Sequence, residues 1–439
     1  MGEIPLCIHA IDFEVSMNTH RFAGACARLA ITVLAWGIAG ALITPVMAQP
    51  APPYLALFRQ AESAAPRLAE SEANIRAAEG QTIQAAVRPN PNVSLEAENI
   101  AGSYPYNGLS RSQTTLSVSE ALEIGGQRPA RMAAAGAGLN AARAQREQTK
   151  ADFAYDLALA YAAAELAEKR ANLATEALNR AQEDERAARA LVNAGREADL
   201  RAVQANAATT AAQADLEGSR ADVSEALVRL TGLVGARQSY TGVSQSLLDM
   251  AATLKPPPIE PLAVSPAVRA AEASRNAVAT RVSVERTRAT PDITVSLGFR
   301  RIAGENANTV VAGVAVPLPL FNNNSGAIAT ASAELAAADA RLNAARLNAE
   351  ADWRVASSQA LAADRRLTAT AEAEAAANEA YRLGRIGYDA GRTPLVELLA
   401  ARRNLTEVQM RGVDARVARI RAEASLARVM GKIPFGDNP

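Results

Sequence analysis

The sequence predicts a mainly α-helical chain with a small β part, built as two tandem copies of one plan whose strands need further copies of the chain to close. Three observations carry this. Ala supplies roughly a quarter of the 439 residues while aromatics make up 4%, a balance that favours long helices approaching through small side chains over thick cores. Motifs recur at 196 to 200 positions, as from Pro91 to Pro291 and from Gly195 to Gly391, and long internal repeats are read before local structure. Two pairs of segments alternate apolar and polar residues, far too few strands to form a barrel of their own, since small membrane barrels begin at about eight.

The first segment is set aside as a signal peptide. From Leu29 to Val46 the chain is uncharged, Arg21 and Arg28 precede it, and Val46-Met47-Ala48 offers a cleavage site after Ala48. The alternative, a retained anchor, has an apolar run at the lower limit for spanning. Met17 is an alternative start. Cleavage removes Cys7, Cys26, His9 and His20, the only cysteines and histidines present. The mature chain then has no thiol nucleophile, no imidazole base, no disulfide and no Cys/His zinc site. It also loses two arginines and three acids, leaving 44 basic against 43 acidic residues, so neither nucleic acid nor lipid is strongly attracted.

The first repeat, residues 49–254, opens with a helix expected from Tyr54 to Val87. Strands follow at about 91–100 and 114–124. In the first, Val93, Leu95 and Ala97 oppose Asn92, Ser94, Glu96 and Glu98; in the second, Leu116, Val118, Leu122 and Ile124 oppose Thr115, Ser117, Ser119 and Glu123. The run Gly125-Gly126-Gln127-Arg128-Pro129 is a strand-to-helix joint, with Pro129 set for the first helical turn. It lacks the spacing of a phosphate loop. A helical hairpin at about 128–231 turns at Asn193-Ala194-Gly195-Arg196. Phe153, Leu157 and Tyr161 lie on one face of its first arm, and Glu183, Asp184, Glu185, Arg186 and Arg189 are assigned to a solvated face.

Lys255-Pro256-Pro257-Pro258-Ile259-Glu260-Pro261 marks a stiff linker at 255–262. The second repeat, 263–430, starts with a helix from Ala263 to Arg288. Its strands are expected at about 291–300, where Ile293, Val295, Leu297 and Phe299 oppose Asp292, Thr294, Ser296 and Arg300, and at 309–320, where Val310, Ala312, Val314, Val316, Leu318 and Leu320 share a face. Pro317 and Pro319 end that strand, Ser325 or a neighbouring Asn caps the next helix, and a hairpin at about 325–430 turns at Asp389-Ala390-Gly391-Arg392. Residues 431–439 are a tail. The loops Ala101 to Arg111 and Arg301 to Asn308 join the strands of each pair. Tyr104, Tyr106 and Phe321 sit at the strand ends, as in the aromatic girdles of a membrane barrel.

Each strand is long enough to cross a bilayer when tilted, although a soluble sheet with one face on a core alternates in the same way. Glu96 and Glu98 resemble a carboxylate pair, but no His, cleft signal or cofactor loop accompanies them, and a solvent- or lumen-facing role is the plainer reading. No catalytic residues and no cofactor are expected. The matched turns carry Gly195, Arg196, Gly391, Arg392 and Thr393 as a docking surface, against the plainer reading of helix-ending glycines. Asp199, Asp389 and Glu397 are candidate aperture charges.

Arg88-Pro89-Asn90-Pro91-Asn92, the stretch from Thr115 to Arg128 containing Glu123-Ile124-Gly125-Gly126-Gln127-Arg128, Tyr381-Arg382-Leu383-Gly384, and Gly391-Arg392-Thr393-Pro394-Leu395 through Ala400 together resemble the TolC family of outer-membrane efflux channels. The Glu-Ile-Gly-Gly-Gln-Arg joint is similar to the cobalt/zinc/cadmium resistance branch. Glu120 departs from it, standing where the branch often has Gln. Cys26 precedes the apolar run, so the lipid-anchored N-terminus of some relatives is unsupported. The resemblance implies a homotrimer whose twelve strands form one barrel in outer-membrane lipid, continued by a helical tunnel across the periplasm. It also implies a periplasmic adaptor (a membrane fusion protein) at the helical tips and an inner-membrane pump of the RND type. Heavy-metal cations are the expected cargo, with drugs or secreted protein as alternatives. A soluble periplasmic coiled-coil scaffold is the rival of a different class.

Overall fold

The computed structural model describes residues 49–195, 198–253, 264–390, 392–393 and 395–436. The signal peptide and the linker at 255–262 lie outside them, as do Arg196 and Gly391. The order of elements is α1 (Tyr54–Ala64), α2 (Pro66–Ala85), β1 (Asn92–Glu98), β2 (Gln113–Leu122), α3 (Gln127–Asn193), α4 (Asp199–Val234), α5 (Leu247–Thr253), α6 (Pro266–Arg288), β3 (Ile293–Ile302), β4 (Ala307–Ala315), α7 (Ser325–Asp389) and α8 (Leu395–Met430). Helix, hairpin, long helix and returning helix thus occur twice. The long helices α3 and α7 have 67 and 65 residues, each roughly 100 Å at 1.5 Å per residue.

Three boundaries differ from the sequence expectation. The helix drawn from Tyr54 to Val87 breaks at Ala65, which is extended at ψ 125°, because the ring of Pro66 crowds the helical conformation of the preceding residue. The last strand stops at Ala315 rather than reaching 320. Pro317 and Pro319 have no N–H to give the ladder, and β3 offers no partner beyond Thr294↔Ala315. In the other direction, Arg301 and Asn308 pair with each other, so the expected loop between them shrinks to a turn at Ala303–Glu305. Gly and Asn marked the turn correctly without showing how far the ladder runs past them.

The four strands form one antiparallel sheet in the order β1-β2-β3-β4. Its central seam joins the repeats, from Gln113↔Ile302 to Leu122↔Ile293. Among the described residues both outer strands, β1 and β4, have one edge without a strand partner.

The helices divide their packing between two kinds of interior. α3 lies along α2, α4 and α6, while α7 lies along α6 and α8. Along much of these seams the buried residues are alanines, as with Ala356, Ala360 and Ala363 against Ala422 and Leu426, which lets the backbones approach closely. One thicker core sits where α1, α3, α4, α5 and α8 meet. It buries Tyr54, Leu57, Phe58, Phe153, Leu157, Tyr161, Leu230, Leu247, Leu248 and Ile420. Tyr54 and Tyr161 meet edge to face at 6.5 Å, and each buried hydroxyl donates to a carbonyl, that of Ala154 and of Gln245, at 2.9 Å. Burial pushes both phenols above their ordinary pKa.

The short helix α5 was not anticipated. Glu165 of α3 organises it, accepting from Ser246 Oγ and from the backbone N–H groups of Leu247 (2.8 Å) and Leu248 (3.0 Å), donors that a helix start leaves unpaired.

Candidate functional site

The sheet presents two unlike faces. Rows read from the register place Val93, Val118, Leu297 and Ala312 side by side, with Leu95, Leu116, Phe299 and Val310 in the next row. All eight of these side chains are exposed. An exposed band of this kind on a sheet wall is what a bilayer accepts and water does not. The opposite face carries Ser94, Glu96, Glu98, Gln113, Thr115, Ser117, Ser119, Thr294, Ser296 and Arg300, with Ser94 and Ser117 hydroxyls 2.7 Å apart. Arg300 donates to Thr115 Oγ1 (2.9 Å) and Gln113 Oε1 (3.2 Å) and pairs with Glu98 at 3.3 Å. The apolar band, bounded on its own face by Glu120 at one end and by Thr114, Arg301 and Asn308 at the other, and the polar face behind it separate lipid from an aqueous bore.

The two strand-to-helix joints hold this wall on the helices. In the first, Arg128 Nε donates to the Ala86 carbonyl (2.8 Å) and Arg131 to the Val87 carbonyl (3.2 Å), so both cover the C-terminal carbonyls of α2. Arg131 also chelates Glu123. Gln127 Nε2 reaches across to Thr290 O at 2.8 Å. The backbone at Gly125 passes so close to Thr290 that an added Cβ would lie 2.6 Å from Thr290 Cβ, while Gly126 takes the left-handed turn into α3 at φ 78°. Pro129 is the third residue of α3. In the second joint Asn324 does the arginines' work, its Nδ2 donating to Glu285 O (2.7 Å) and Oε2 (3.0 Å) at the end of α6. Val316, Leu318, Leu320 and Phe321 are exposed in the Pro317/Pro319 segment.

At the far end of the hairpins, Gly195 closes α3 with φ 67°, its N–H donating to Val192 O at 2.9 Å. Asp199 is the exposed first residue of α4, and Glu397 is exposed in the first turn of α8. In the second turn the Gly387 carbonyl accepts from the N–H groups of both Arg392 (2.8 Å) and Thr393 (3.1 Å). An added Cβ at Gly387 would collide with Thr393 Oγ1 and lie 3.2 Å from its Cβ. Gly387 has no counterpart in the repeat, which matches Gly391 instead; its signal in the sequence is the spacing Gly384-x-x-Gly387 just before the turn. Behind the tips, Glu185 leaves the solvated face assigned to it and accepts from Asn206 across the hairpin at 3.1 Å. Asn206, then Thr209 and Arg189, hold its carboxyl below the usual range. Arg382 does the same for Glu379.

Among the described residues no cluster of three or more His, Cys, Asp or Glu is placed to hold a metal ion, and no helix is long and apolar enough to cross a membrane. The family model described as outer membrane efflux protein matches residues 57–236 and 260–432, one match for each repeat. The chain belongs to the outer membrane efflux protein family. It is 42% identical over 413 residues to the nickel-cobalt-cadmium resistance protein NccC of Alcaligenes xylosoxydans xylosoxydans, covering 94% of this chain and 92% of that one. It is 44% identical over 388 residues to the nickel and cobalt resistance protein CnrC of Cupriavidus metallidurans, with 88% and 92% covered. In fold it matches the outer membrane channel CmeC of Campylobacter jejuni with a TM-score of 0.71 at 16% identity, over 88% of this chain and 87% of that one. This outer membrane efflux protein is thus a channel component whose sheet lies in the outer membrane and whose helices form the periplasmic tunnel. An efflux channel of this kind works with further copies and with adaptor and pump components.

Proposed function

We propose that the chain is the outer-membrane exit duct of a three-part heavy-metal efflux system, a passive, non-enzymatic conduit for cations such as nickel, cobalt or cadmium. The carrying observation is the four-stranded sheet with an apolar band on one face, a polar opposite face and two edges without strand partners among the described residues. Unpaired edges are untenable in hydrocarbon, where no water satisfies them, so β4 of one copy pairs with β1 of the next. Two copies would give eight strands, a barrel whose interior side chains fill the bore; three give twelve and leave an aqueous passage. The cargo is inferred from NccC, whose name states nickel, cobalt and cadmium resistance, and from CnrC, whose name states nickel and cobalt resistance.

On this reading the periplasmic adaptor docks at the tips formed by Gly195, Arg196, Gly391, Arg392 and Thr393, an inner-membrane pump of the RND type supplies the energy, and Asp199, Asp389 and Glu397 line the aperture. The tests are outer-membrane fractionation, a heat-modifiable trimer on detergent gels, weak conductance of the resting trimer in planar bilayers, and restored nickel, cobalt and cadmium tolerance in a strain lacking the gene. A detergent-independent, water-soluble monomer would establish the scaffold alternative instead. Restored tolerance to drugs with none to metals would reassign the cargo.

A further inference from the structure

Within the four strands the polar face carries three charges, Glu96, Glu98 and Arg300. In sequence the two carboxylates look equivalent, two apart on one strand face. The structure separates them. Arg300 shares a row with Thr115 and Glu96, yet its guanidinium turns toward the next row, donating to Gln113 and pairing with Glu98. Glu96 is exposed and has no ion-pair partner among the described residues.

From this geometry we infer that Glu96 sets the cation preference of the barrel section. The inference rests on the closed three-copy barrel proposed above. Twelve strands about 4.8 Å apart and tilted by about 40° give a backbone radius of about 12 Å. A Glu side chain reaching inward leaves its carboxylate roughly 8 Å from the axis. Three copies make a ring of three negative charges, next to a Glu98–Arg300 ring that is neutral. By Coulomb's law in water, screened over a Debye length of about 30 Å at 10 mM salt and about 8 Å at 0.15 M, such a ring enriches a monovalent cation on the axis about sevenfold and about two- to threefold respectively. A divalent cation feels the square of that factor. The ring therefore holds metal cations in the barrel without ligating them, in keeping with a conduit whose cargo must leave.

The test uses purified full-length trimers in planar bilayers, with reversal potentials measured across a potassium chloride gradient whose dilute side is 10 mM. The expected order of cation over anion permeability is Arg300→Gln above wild type above Glu96→Gln, with a severalfold loss for Glu96→Gln and all three converging at high salt. The double variant Glu98→Gln/Arg300→Gln, which removes the neutral pair and leaves Glu96 alone, keeps wild-type selectivity, and it decides the case if Arg300→Gln does not insert. A Glu96→Gln trimer as selective as wild type overturns the inference while leaving the conduit intact. A wild-type chain that yields neither a gel-stable trimer nor any conductance overturns the conduit reading itself.

Discussion

Gly387→Ala adds one methyl group where the second helical turn has no room for it. The added carbon would strike Thr393 Oγ1 and lie 3.2 Å from Thr393 Cβ, so Arg392 and Thr393 must move away from the Gly387 carbonyl that holds them at 2.8 and 3.1 Å. Two backbone hydrogen bonds at about 1 kcal/mol each put the cost near 2 kcal/mol, and it falls on the turn alone, since neither the sheet nor the thick core touches it. Metal tolerance of a complemented deletion strain should drop sharply while outer-membrane insertion and the gel-stable trimer persist. Hydrogen exchange should quicken at the amides of Arg392 and Thr393. Thr393→Ala removes the struck oxygen, so the double variant Gly387→Ala/Thr393→Ala should return most of the exchange protection, a coupling that independent sites would not show. Full tolerance and unchanged exchange in Gly387→Ala would refute both the contact and the role given to this turn.

Leu157→Ala empties a fully buried site beside Phe153 and Tyr161 and should cost about 3 kcal/mol, lowering the thermal midpoint followed by circular dichroism in detergent. Arg131→Ala leaves a nearly buried Glu123 carboxylate and the Val87 carbonyl without their donor. About 1 to 3 kcal/mol should be lost at the first joint, seen as a gel-stable trimer that dissociates at lower temperature. The pH dependence should run against the usual acid lability. Burial raises the carboxyls of Glu423, Glu168 and Asp152 in the helices, so the folded chain binds more protons than the unfolded one just above the ordinary carboxylate range, and stability falls as pH rises through that window. The carboxyls of Glu185 and Glu379, held low by their partners, lose their contribution only below it. The melting temperature should therefore rise from pH 7.5 toward about 5; a steady fall over that interval would contradict the assignment.

Most of the secondary structure was legible because it follows from local periodicity. Alternation at Val93, Leu95 and Ala97 marks a strand wherever it pairs, and a helix of 67 residues announces itself by its alanine content and its lack of interruptions. The break at Ala65 is written in the sequence too, as Pro66. The sites were less accessible. Glu165 lies 81 to 83 residues from the groups it caps, and Gly387 is constrained by a hydroxyl that only the closed turn brings near.

Amino-acid order alone determined the doubled plan, the two hairpins, the two-faced character of each strand, and the lack of Cys and His beyond residue 48, since all of these depend on neighbours a few positions apart or on composition. Folding decided what depends on distant partners. It joined the repeats along β2 and β3, left β1 and β4 as the bare edges, and carried Arg300 across 185 residues of chain to Thr115 and on to Glu98. Two carboxylates identical in local context thereby became unlike, because charge compensation depends on which side chain arrives in space, and no period in the sequence records that.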